Sequence, residues 1–259
     1  MKKREKIDLI LLLLWPIIAM TLSLLFNLNT LTSIILFLGI PSFYLSFRGP
    51  KYIKKSIFFS LIVSIPTIIM IDYIAHLTNI WVIPYSILPF RLFGSVTLEV
   101  ILWAIFNFYF VIMFYEYFLD KHFTKRLLNP KIKYLILAIL IIFLIFIIFL
   151  FNATDLLKIP YFYLWFGIIL ILIPIINQLL SYPALTTKLF KTAAYFFYLT
   201  FIYEVTGLTL GWWAFPGTEF IGWVSILGAS FPIEEIVFWC ILFAMAILSY
   251  YEFFEDDEK

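Results

Sequence analysis

The chain has 259 residues, of which 64% are apolar, 21% aromatic and only 13% charged, with a formal net charge of +2. A soluble domain of this length does not have that composition, so the chain belongs in a membrane. A lone cysteine, Cys240, excludes an internal disulfide, and with only His76 and His122 for histidines the chain argues against a Cys/His metal centre.

The N-terminus, MKKREK followed by a long apolar run, has the outline of a secretory signal. No small-x-small cleavage site follows, so the run reads as a retained first helix. A bilayer crossing needs roughly 20 apolar residues. Segments of that kind lie at 8–26, 31–48, 56–76, 97–118, 134–151, 160–180, 191–210 and 229–252. They lack the alternation of barrel strands. The expected fold is therefore an all-α integral membrane bundle of about eight transmembrane helices.

The basic residues set an orientation. Lys2, Lys3, Arg4 and Lys6 precede the first segment, and Arg48, Lys51, Lys54 and Lys55 lie between the second and third. Lys121, Lys125, Arg126, Lys131 and Lys133 follow the fourth, Lys188 and Lys191 follow the sixth, and Lys259 closes the chain. Only Arg91 and Lys158 fall on the other side. This asymmetry predicts a cell-membrane protein with both termini in the cytoplasm.

Rare residues recur between the halves. Pro41 and Pro174 are 133 positions apart, as are Pro50 and Pro183; Asp72 and Glu204 are 132 apart, as are Trp81 and Trp213. Further on the offset grows to 136, matching Glu99 with Glu235, Trp103 with Trp239 and Tyr115-Glu116 with Tyr251-Glu252. Two parallel four-helix repeats, 1–126 and 127–259, follow from this pattern.

Acids inside crossings are costly and mark functional sites. Asp72, Glu204, Glu99 and Glu235 are expected at one depth near the outer ends of their helices, with Glu234 unmatched because Leu98 holds its counterpart place. Helix capping is an alternative for Glu99 and Glu235. Glu116 and Glu252, beside Tyr and Phe, read as interfacial anchors. Glu99 and Trp103 are four apart, as are Glu235 and Trp239, which sets carboxyl and indole on one helix face. Carboxyls shut away from water favour the protonated form, and indole faces attract cations. An acid beside electron-rich rings suits carbocation chemistry. No Rossmann or phosphate-loop glycine pattern and no Ser/His/Asp or Cys/His set can be assembled, so no cofactor and no metal are implied. Nor does the sequence suggest a nucleic-acid partner.

Pro232-Ile233-Glu234-Glu235, then Phe238-Trp239 and a run ending in YYEFF, resembles the Pro-x-Glu-Glu motif of the heterodimeric, CarR-type lycopene cyclase domain family. The first half is similar: DYIAHLTNIWVIPYSILPFRLFG leads into TLEVILW and ends in FYEYF. The resemblance covers roughly 72–118 and 204–252; the first half has one acid and no proline in its motif, and the second lacks a match for Arg91. The resemblance implies a cofactor-free isomerase that closes acyclic carotenoid ends, such as those of lycopene, to β-ionone-type rings. It would work within membrane lipid, alone or as a homo- or hetero-oligomer. On this reading Glu235 is the proton donor and Glu99 or Glu234 its base or partner, with Asp72 and Glu204 orienting or recharging them. Trp103, Trp239, Trp81, Trp213 and Phe238 would wall the substrate. A small transporter and a non-catalytic cyclase-like subunit remain the alternatives.

Overall fold

The computed structural model describes residues 2–120 and 128–256. Among them, eight helices are long and apolar enough to cross a membrane: α1 (Lys3–Phe26), α2 (Thr30–Arg48), α3 (Pro50–Leu77), α4 (Leu98–Asp120), α5 (Ile132–Asn152), α6 (Phe162–Ser181), α7 (Pro183–Leu210) and α8 (Glu235–Phe254). The expected boundary between halves, 126/127, and the basic residues Lys121, Lys125, Arg126 and Lys259 lie outside the described residues.

Local chemistry sets the breaks. Asn27 ends α1 in the left-handed region (φ 47°), and the Asn29 side chain accepts from Thr32 N at 2.9 Å to start α2. Before Pro41 in α2 the helix widens to a π turn over Ile35–Gly39, and before Pro174 in α6 it does so over Gly167–Leu172. A proline has no N–H for the ladder and its ring crowds the preceding turn, which a wider turn relieves. Gly211 ends α7 at φ 68°.

Two small antiparallel hairpins precede α4 and α8, and the second takes residues 229–232 out of the segment expected as the eighth crossing. One pairs β1 (Arg91–Leu92) with β2 (Val96–Thr97), the other β3 (Trp223–Ile226) with β4 (Ala229–Pro232). Each turn holds two residues at positive φ, Phe93-Gly94 and Leu227-Gly228, with glycine second.

Helices α4 and α8 form the centre: 67% of the hydrophobic window of each is buried, against 22% for α1 and 17% for α5. Helix α1 packs on α7 of the other half, and α5 packs on α3. Leu137, Leu140, Ile141 and Leu144 of α5 are left exposed, as suits a lipid-facing helix.

Contacts between the halves run both ways. Val82 N donates to Ala214 O (2.9 Å) and Ala214 N returns to Val82 O (3.0 Å), joining the two hairpin loops at one end of the bundle. At the other end Tyr115 donates to Glu252 while Tyr251 donates to Glu116. Lys55 pairs with Asp256 at 3.2 Å, and Lys188 pairs with Asp120. Across these four couples the two Tyr, the two Glu and the two Asp lie 136 positions apart and the two Lys 133. Glu116 and Glu252, expected as anchors at the lipid surface, are instead 1% and 2% exposed and hold the halves together. The reason is hydrogen-bond demand: a buried carboxyl needs a donor, and the facing tyrosine supplies it.

Candidate functional site

A cavity of about 100 Å³ lies between the halves, beneath the two joined loops. Its walls come from every part that meets there. Helix α2 gives Thr30 and Ile34, α3 gives Ile68, and α4 gives Val100 and Trp103; α7 gives Thr200, Tyr203 and Glu204, and α8 gives Glu235, Trp239 and Cys240. The loops add Trp81, Ile83, Trp213 and Phe215.

The indoles are packed into one aromatic wall. The Trp239 ring lies 5.4 Å from Trp103 and 6.0 Å from Trp81, and 4.4 Å from Phe243. Phe166 stacks on Trp239 at 5.5 Å, and Tyr203 lies 5.2 Å from Trp213. Each loop tryptophan is fixed by an acid nine residues earlier. Trp81 Nε1 donates to Asp72 Oδ1, and Trp213 Nε1 to Glu204 Oε1, both at 2.8 Å. Gly207 makes room for this arrangement: a Cβ there would come within 2.3 Å of the Trp213 ring.

Glu204 and Glu235 meet at the cavity wall. Both side chains line it, Trp213 donates its Nε1 to Glu204 Oε1, and Tyr163 donates its hydroxyl to Glu235 Oε2. The site therefore sets two acids among aromatic rings. Cys240 is buried alongside, and the Tyr203 hydroxyl is buried without a hydrogen-bond partner.

Four of the residues expected at the site lie off the cavity surface. Glu99 does not line the cavity; it is fully buried and accepts from Ser86 Oγ (2.8 Å), Ile87 N (2.8 Å) and Leu88 N (3.3 Å). Glu234 does the same work in the other half, accepting from Ile221 N at 2.7 Å. Glu234 is thus the structural counterpart of Glu99, 135 positions on, and Val100 stands where Glu235 stands. The offset reaches 136 only after the π turn over Glu235–Leu242, which takes up one extra residue. Phe238, expected as a substrate wall, packs on Gly167, where a Cβ would meet its ring at 2.2 Å. Asp72 stays behind Trp81, buried but off the cavity surface.

Among expected residues, the cavity therefore gathers Glu235, Glu204, Trp81, Trp103, Trp213 and Trp239. Tyr163, Tyr203, Thr30, Thr200 and Cys240 were not singled out by the sequence. Within an apolar run a tyrosine looks like an interface residue, and only its partner reveals another role. As to metals, Glu116, Asp120 and Asp256 bring carboxylate oxygens within 4.8 Å of one another at the far end of the bundle. Two of those acids are already paired with Lys55 and Lys188.

Below the cavity the bundle is filled by rings. Phe110 and Phe196 lie 5.0 Å apart, and Phe114 stacks on Tyr195 at 4.4 Å. No protein-family model, no curated protein and no solved structure matches the chain.

Proposed function

We propose that this chain is a membrane carotenoid cyclase, closing the acyclic end of lycopene or a related polyene to a β-ionone-type ring without net redox change. The observation that supports it most is the Glu204–Glu235 carboxyl pair in a cavity walled by Trp81, Trp103, Trp213 and Trp239. About 100 Å³ suits an end group rather than a whole polyene, so the rest of the chain would extend into lipid.

Glu235 delivers a proton to the terminal double bond. The end folds and closes to a six-membered ring, leaving a tertiary cation. Indole faces hold that cation without attacking it. The emptied carboxyl pair then removes a proton from the adjacent carbon, forming the ring double bond and restoring the pair. Protons and electrons balance, and no cofactor enters. Glu204 replaces Glu99 and Glu234 as the partner of Glu235, because those two are committed to backbone N–H groups of the loops. Tyr163 fixes the Glu235 carboxyl, and a fixed, water-poor setting lowers the reorganisation needed at reaction.

On this reading both halves wall one reaction chamber, related as two four-helix units, and the chain works without a second subunit. It sits in the cell membrane with both termini cytoplasmic. A carrier would need polar groups along its axis; the ring-packed stretch around Phe110 and Phe114 disfavours one. Pigment extraction from a lycopene-accumulating host expressing this chain alone tests the reading. Cyclised carotenoid supports it, and unchanged lycopene with the protein present in the membrane overturns it.

A further inference from the structure

The same cavity has the chemistry of a cation receptor, and this inference does not need the polyene reading. Two buried acids, Glu204 and Glu235, line it. Ion pairs among the described residues engage Asp8, Asp120, Asp155 and Asp256, and none reaches this pair. A buried charge without a counter-ion is costly. Around it stand the faces and edges of Trp81, Trp103, Trp213 and Trp239, the side chains best suited to hold a cation by its attraction to the ring. Tyr203 supplies an independent pointer. It lines the cavity, is 5% exposed, and its hydroxyl has no hydrogen-bond partner. Buried hydroxyls of this kind are completed by a polar atom from outside the fold.

We infer that the cavity is a binding site for an organic monocation of the alkylammonium class, whose apolar substituents meet the indoles, whose charge meets the Glu204–Glu235 pair, and whose polar arm reaches Tyr203. Cavity volume fits a group of trimethylammonium size rather than a long amphiphile. A metal ion would fit poorly, since the walls offer few oxygen ligands and much aromatic carbon.

The test uses the purified full chain in lipid nanodiscs, with choline and its uncharged isostere 3,3-dimethylbutan-1-ol as probes. Both carry the same shape and a hydroxyl; only choline is charged. Binding is read by intrinsic tryptophan fluorescence, since four indoles face the cavity. We expect choline to bind at least about tenfold more tightly than the isostere. Glu204→Gln with Glu235→Gln should abolish that preference. Trp103→Leu, which leaves the carboxyls in place, should weaken choline more than the isostere. Equal affinity for the two probes, or no choline binding to the wild-type chain, overturns the inference. Lycopene conversion is assayed separately, and its absence would overturn the cyclase reading without touching this one.

Discussion

Glu204 and Glu235 line one and the same cavity, whose walls come from both halves of the chain. One acid comes from near the end of α7 and the other from the start of α8, so the pair exists only once the loop between them has folded back. General acid catalysis by a positioned group contributes roughly a hundredfold to ten-thousandfold. Glu235→Gln should therefore lower lycopene conversion at least about a hundredfold in membranes. The amide can still accept from Tyr163, so the amount of folded protein, read by gel filtration in detergent, should be unchanged.

Tyr163 acts through Glu235, as a positioning residue. Tyr163→Phe removes one hydrogen bond to a buried acid, a loss of about 1–3 kcal/mol in stability. Conversion should fall less than in Glu235→Gln, and its pH profile should shift, because the carboxyl loses its fixed donor. An unaltered pH profile would assign Tyr163 to packing alone.

Glu99 offers the opposite case. It accepts from two backbone N–H groups and from Ser86, and serves the loop beneath which the cavity lies. Glu99→Ala should destabilise the chain by about 1–3 kcal/mol for each buried donor left unpaired, seen as a lower thermal midpoint. Glu99→Gln keeps one accepting oxygen and should retain most of the conversion. A loss as large as that of Glu235→Gln would mean that Glu99 takes part in proton transfer.

Gly207 has a purely geometric role. Its missing side chain admits the Trp213 ring, and Trp213 in turn donates to Glu204. Gly207→Ala should push the ring out of place and lower conversion strongly with little change in membrane expression. Retention of full conversion would show that Trp213 has room to shift without disturbing the acid.

Much of this was legible in the chain. Apolar runs gave eight helices because a bilayer demands both length and apolar character, and the structure moves their ends by up to eight residues. The nine-residue spacings Asp72 to Trp81 and Glu204 to Trp213 marked side chains that do bond to each other. Glu235 and its tryptophans were visible as costly or rare residues in an apolar setting. The partner of Glu235 was not. Matching by offset put Glu99 opposite Glu235, because a π turn that absorbs one residue leaves no trace in a list of spacings. The hairpins escaped because two-residue and four-residue strands carry no periodicity. Tyr163 escaped because aromatic residues in such a sequence are common, and its role depends on the acid that faces it.

Proton origin is the most direct measure of the central claim. Lycopene is supplied to membranes holding the chain in D2O buffer, and the product is weighed by mass spectrometry. If the carboxyl pair adds a proton from its exchangeable store and then removes another from the ring carbon, each closed ring carries one solvent deuterium. Cyclised product without deuterium, or ring closure undiminished in the Glu235→Gln chain, would contradict the account.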